Sequence, residues 1–146
     1  MSAPAAQELR ARHALFPGTF DPVTLGHVDI LWRARALFTR VTIAVASHPE
    51  KQHLLSLEER LGLLREVTRG IPGVQVSVLD GLVVEGCRAL GADVIVRGLR
   101  GALDLEYERQ MALTNRVLSP SIETLFLLPD ATYANISSTL VRQIAR

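Results

Sequence analysis

Residues 13–29 read HALFPGTFDPVTLGHVD. The first four, HALF (13–16), have the composition of a short buried strand, and HVDILWRARALF (27–38) places its apolar residues at helical spacing. Between them lie a Pro-Gly turn, two hydroxyl side chains, an Asp-Pro break and a Gly-His pair. A plain strand-to-helix connection needs far fewer special residues. A strand that ends in an elaborate loop and then a helix is how an open α/β sheet builds a ligand site.

The alternation continues outward from this stretch. VTIAVAS (41–47) is a β-branched strand. Ser56 opens a capping box with Glu59, and the helix that follows runs to Gly70. VQVSVLD (74–80) predicts a strand and LVVEGCRALG a short helix ending at Gly91. DVIVRG (93–98) predicts a buried strand, LDLEYERQMALTNRVL (103–118) a helix, and ETLFLLP (123–129) a last strand. SSTLVRQIAR closes the chain as a helix with serines at its start. Five strands separated by helices predict a single Rossmann-like, doubly wound α/β domain on a five-stranded parallel sheet with right-handed crossovers. Residues 1–12 read as a loosely ordered leader and 13–146 as the domain.

Composition narrows the function classes. The chain has 146 residues, 48% hydrophobic and 21% charged, with a formal net charge of +1. That balance points away from a nucleic-acid stripe or an anionic membrane surface. No apolar run reaches membrane-spanning length. The single cysteine, Cys87, has no internal partner and fits a reducing, cytoplasmic setting as a small core residue. The basic residues are fifteen arginines and one lysine, Lys51, in the loop SHPEKQHLL. A lone lysine on a solvated loop is unremarkable by itself, but it also suits a position that needs a compact, mobile ammonium.

The special residues follow the carboxyl ends of the predicted strands: PGTFDP, HPEK, RGLR and PDATYANISS, with DGLVV on the same edge. One rim of the sheet therefore carries His27, Lys51, Arg97 and Arg100 as cations, and Thr19, Ser137, Ser138 and Thr139 as hydroxyls. Two helix starts face the same rim, and their backbone N–H groups attract phosphate. G-x-x-x-x-G-K-[ST] and G-x-G-x-x-G are absent, as are a Cys/His metal cluster and a nucleophile with a base beside it. Such a rim suits phosphate chemistry done by positioning and electrostatics. Gly26 is expected to ease the turn into the helix and to leave room for a nucleobase or phosphate. His13, His48 and His53 read as structural. Arg97 and Arg100 are also ordinary residues for a strand end, and Glu108 also fits surface pairs within EYER. Ser137 and Ser138 also fit as helix caps. Asp21 reads as orienting its loop rather than approaching a metal.

PGTFDPVTLGHVD resembles the signature of nucleotidyltransferases that carry a T/H-x-G-H motif, here with Thr24 in the first position. RGLRGALDLEYERQMALTNR and the late ISST are similar to the bacterial phosphopantetheine adenylyltransferase family, in register from about residue 13 to the end. The resemblance implies transfer of AMP from ATP to 4′-phosphopantetheine, giving dephospho-coenzyme A and pyrophosphate with Mg²⁺. The acceptor phosphate attacks the α-phosphorus directly. By position, Thr19 then meets both substrates' phosphates, with Phe20 beside it, and His27 stabilises the transferring phosphoryl group. Lys51 and Arg97 hold the acceptor phosphate and Val83 lines its arm. Gly98, Leu99, Arg100 and Glu108 hold ATP, with Glu108 near the ribose. Tyr133, Ala134, Asn135, Ile136, Ser137, Ser138 and Thr139 wrap the adenine and phosphates. Mg²⁺ rides on the ATP phosphates rather than on protein ligands.

The resemblance also implies a cytoplasmic hexamer, with coenzyme A as an inhibitor and no nucleic-acid or membrane partner. Two departures stand out. The family usually has an aromatic residue where this chain has Asn135. Its members also continue beyond VRQIAR into a further loop and helix, so either the sequence is a truncated form or the site's outer wall and assembly contacts are expected to be reduced. Two other readings stay open at this point. One is a sibling enzyme acting on nicotinate mononucleotide or a cytidylyl substrate. The other is a non-catalytic adenine-nucleotide-binding domain.

Overall fold

Five segments rich in β-branched and apolar residues lie side by side and parallel in the computed structural model, which describes residues 12–48, 50–133 and 135–145. They are β1 (His13–Gly18), β2 (Arg40–Ala46), β3 (Val74–Leu79), β4 (Val94–Gly98) and β5 (Glu123–Leu127). The helices are α1 (Leu25–Leu37), α2 (Leu57–Thr68), α3 (Val83–Leu90), α4 (Ala102–Leu118) and α5 (Ser138–Ala145). A short 3₁₀ turn spans Ala131–Tyr133. The strand order is β3-β2-β1-β4-β5, so the chain builds outward one way from β1 and then returns to build the other way. Strand order reverses between β1 and β4, where such sheets open a crevice.

The inner strands are buried on both faces, which is why they read as continuous apolar runs. Ala14, Phe16, Val41, Ile43, Val45, Val94 and Val96 face α1 and α2, meeting Ile30, Leu31, Leu61 and Leu64. Leu15, Ala44 and Ile95 face the other way, against Val84 and Cys87 of α3. Cys87 is fully buried, and burial pushes its thiol up to about 11, so it is an inert core residue. No helix among the described residues is long and apolar enough to cross a membrane.

Two local expectations are corrected. Pro17 and Gly18 are not a turn: β1 runs through them, opposite Ala44 and Val45 of β2. A proline is tolerated in this central strand because the β1·β4 ladder ends at Leu15 and Ile95, leaving Pro17 just beyond it. α1 begins two residues earlier than the apolar spacing suggests, because Thr24 is its cap. Of the expected leader only Arg12 is described, and it pairs with Asp93 at 2.9 Å. The capping box of α2 is present as read, with Glu59 N–H donating to Ser56 Oγ at 3.1 Å.

Candidate active site

Where β1 and β4 part, Arg97 bridges the gap. Its Nη1 donates to the Pro17 carbonyl at 2.6 Å, while Nε and Nη2 donate to the two carboxylate oxygens of Glu108 at 2.9 and 2.5 Å. The fork-to-fork pair fixes the guanidinium plane. Glu108 is the one buried residue of α4, and it pairs across to β4 rather than within EYER as a surface helix residue would. Three of the five N–H groups of Arg97 are engaged, leaving two for a ligand.

The loop after β1 is shaped around Phe20. Its backbone is left-handed, with φ 51°, and its ring is buried edge-on to Phe16 and to His27, with centroids 5.4 and 5.0 Å apart. A Cβ on Gly18 would lie 3.0 Å from that ring, so a side chain there would press on Phe20 and force it to shift slightly. At Gly26 the backbone is ordinary helix, so it does not serve a special turn. A Cβ there would stand in normal contact, 3.6–3.7 Å from Thr24 Oγ1 and Tyr133, and would occupy space at the mouth of the hollow.

His27 is the third residue of α1 and completes a capping box with Thr24. The Thr24 backbone N–H donates to His27 Nδ1 at 2.9 Å. An amide N–H can only donate, so Nδ1 carries a lone pair and the ring hydrogen sits on Nε2. Burial, and then the charges of Arg97 and Arg100, bring the imidazole pKa down to about 4. His27 is therefore a neutral ring offering one Nε2–H donor.

Asp21 is 1% exposed and accepts from the backbone N–H groups of Leu54 and Leu55, each at 2.8 Å. Although burial works the other way, these bonds, with help from Arg142 and His53, hold its carboxyl below the usual range. Its own carbonyl accepts from Arg142 Nη1 at 2.8 Å, and the Pro22 carbonyl accepts from Ser138 Oγ at 2.7 Å. The Asp-Pro break thus ties the β1–α1 loop to the Lys51 loop on one side and to α5 on the other. Ser137 alone caps α5, accepting from Leu140 N–H at 3.1 Å.

Two hollows open on this rim. The first, about 350 Å³, is lined by Thr19, Phe20, His27, Gly98, Arg100, Tyr133 and Ile136 to Thr139. The second, about 600 Å³, is lined by Thr19, Lys51, Val83, Arg97 and apolar residues that include Leu79, Leu82 and Met111. Pro17, Gly18, Thr19, Arg97, Tyr107 and Glu108 line both. Two expected residues are not brought to either hollow. Leu99 continues the β4·β5 ladder with its N–H on the Leu127 carbonyl, and Asn135 lies outside the lining. Ala134 lies outside the described residues.

Sequence reasoning missed other lining residues. His48, read as structural, lines the second hollow with a left-handed backbone, φ 34°. Asp104 accepts from the Arg100 N–H at 3.1 Å and stands 3.3 Å from its guanidinium, tying RGLR to the first turn of α4. The signal for Asp104 was its spacing of four residues from Arg100 across a helix start. Tyr107, Arg142 and Met111 carried no signal beyond lying on helices near the motifs. His13, by contrast, is structural as read, buried with Nε2 2.6 Å from Thr42 Oγ1.

Three comparisons bear on this geometry. The profile of the cytidylyltransferase-like family matches residues 15–144. The chain is 49% identical over 135 residues to the phosphopantetheine adenylyltransferase of Caldanaerobacter subterraneus subsp. tengcongensis, covering 92% of this chain and 84% of that protein. It is 51% identical over 132 residues to the phosphopantetheine adenylyltransferase of Symbiobacterium thermophilum, covering 90% and 82%. Among solved structures, a putative nicotinate-nucleotide adenylyltransferase from Vibrio parahaemolyticus superposes with TM-score 0.67 at 18% identity, over 91% of this chain and 79% of that one. That last likeness supports the fold alone.

Proposed function

The chain belongs to the cytidylyltransferase-like family and, within it, to the phosphopantetheine adenylyltransferases, and from that premise we propose that it transfers AMP from ATP to 4′-phosphopantetheine. The products are dephospho-coenzyme A and pyrophosphate. One observation carries the reading onto this rim: a polar hollow and a larger, more apolar one share a wall that contains Thr19 and Arg97. ATP takes the first and the pantetheine arm the second, so both phosphates meet at Thr19.

A phosphate monoester has a second pKa near 6 and is already a nucleophilic dianion at pH 7, so no strong general base is needed. Its oxygen attacks the α-phosphorus as the pyrophosphate oxygen leaves on the opposite side. Lys51 and the two spare N–H groups of Arg97 hold the acceptor phosphate, with Val83 against its arm. Arg100 draws the leaving pyrophosphate. His27, fixed as an Nε2–H donor, meets the charge that builds on the α-phosphoryl oxygens and needs no reorganisation to do so. Glu108 holds Arg97 in plane besides lying beside the nucleotide. Tyr133 and Ile136 to Thr139 close around the adenosine.

Mg²⁺ would supply charge neutralisation on the triphosphate. Asp21 has both oxygens on backbone N–H groups, so we assign the ion to the nucleotide's own phosphates and water. We place the reaction in the cytoplasm, with coenzyme A, which shares the pantetheine arm, as an inhibitor of the second hollow. The assembly is proposed as a hexamer. Its support is α4, where Leu103 is 97% and Val117 81% exposed, apolar surface that one chain alone leaves in water.

The test is pyrophosphate release from ATP with 4′-phosphopantetheine or nicotinate mononucleotide as acceptor. Release with 4′-phosphopantetheine alone is expected. Turnover only with the mononucleotide overturns the assignment.

A further inference from the structure

Arg60 is the largest of the fully buried side chains, 2% exposed on the face of α2 that also carries Leu61 and Leu64. Burial of that kind usually falls to an apolar residue. Instead Nη1 donates to the carbonyls of Thr19 and Ala46, each at 3.0 Å, and Nε is buried with no partner. No described carboxylate forms an ion pair with it. A buried cation without a neutralising partner is costly to keep.

Its position gives the cost a use. Thr19 and Ala46 stand where β1 and β2 leave the sheet for the loops bearing Thr19 and Lys51, and both residues line the second hollow. The charge reaches that rim. His48, on the same lining, is held below its ordinary pKa first by burial and then by Lys51, His53 and Arg60. Two carbonyl dipoles soften the charge without cancelling it, so its field extends to whatever occupies the rim.

We propose that Arg60 is a positioning residue of the phosphate site, joining the two loops from beneath and adding an interior positive charge that favours anionic ligands there. The inference rests on the reading of this rim as a phosphate site. The field strengthens binding of a polyanion and leaves a neutral ligand almost untouched.

The experiment compares wild type, Arg60→Met and Arg60→Lys by calorimetric binding of inorganic tripolyphosphate and of adenosine. Arg60→Met keeps length and removes charge, and is expected to weaken tripolyphosphate by about tenfold while adenosine stays within about twofold. Arg60→Lys is expected to restore most of the tripolyphosphate affinity. Unchanged tripolyphosphate binding in Arg60→Met, or an equal loss of both ligands, overturns the inference. If Arg60→Met does not fold, Arg60→Lys decides alone. A folded Lys variant within about threefold of wild type for tripolyphosphate supports the charge, and a loss of about tenfold overturns it. Failure of both variants to fold assigns Arg60 to the fold and overturns it too. Absence of tripolyphosphate binding by wild type removes the phosphate-site reading as well, whereas binding that all three proteins share removes only the role of Arg60.

Discussion

His27 works as a neutral donor because three features converge on one ring. Thr24 takes up Nδ1, Phe20 packs edge-on against the plane, and burial beside Arg97 and Arg100 holds the pKa near 4. An NMR titration of the His27 ring is expected to show it staying mostly neutral between pH 8 and 5, and tripolyphosphate should raise its pKa by bringing negative charge to the rim. Titration near 6.5 in the free protein would remove the argument. The sign for stability follows. Between about 6.5 and about 4 the unfolded chain binds a proton that the folded one refuses, so stability falls as pH drops through that window. His27→Asn should flatten that part of a denaturant-midpoint profile. His27→Ala should keep most ATP affinity and lose turnover on the order of 10²–10³-fold; unchanged turnover would contradict the donor role.

At the scale of elements, the site depends on loops held by backbone bonds to buried charges. Asp21→Asn can accept only one of the Leu54 and Leu55 N–H groups and turns its own N–H₂ toward the other. It should cost about 1–3 kcal/mol of stability and raise KM for the acceptor more than it lowers kcat. Equal KM values for both proteins would show that the Lys51 loop does not need this tie. Asp21's contribution is present above the unfolded value of 3.8 and lost as pH falls through its lower folded pKa.

The same loops mark how far the sequence could be read. Strand and helix periods, the Ser56–Glu59 box and the rim placement of Thr19, Lys51 and Arg97 were visible in spacing. The continuation of β1 through Pro17 was not, because proline usually excludes a central strand and the parting of β1 from β4 is a tertiary fact. The burial of Glu108 was hidden by the charged residues around it. The role of Arg60 depends on carbonyls from distant backbone, which no side-chain pattern records.

For the whole molecule, α4 carries the least covered apolar surface. Leu103→Asp with Val117→Asp should turn the proposed hexamer into smaller species in sedimentation velocity; an unchanged sedimentation coefficient would place the interface elsewhere. The central claim is that one rim brings two phosphates together for a single direct transfer. ATP made chiral at the α-phosphorus by sulfur substitution tests this most directly, by reading the configuration of the thio-dephospho-coenzyme A formed with 4′-phosphopantetheine. Direct in-line attack predicts inversion at that phosphorus, and retention would reveal a covalent adenylyl-enzyme and contradict the account.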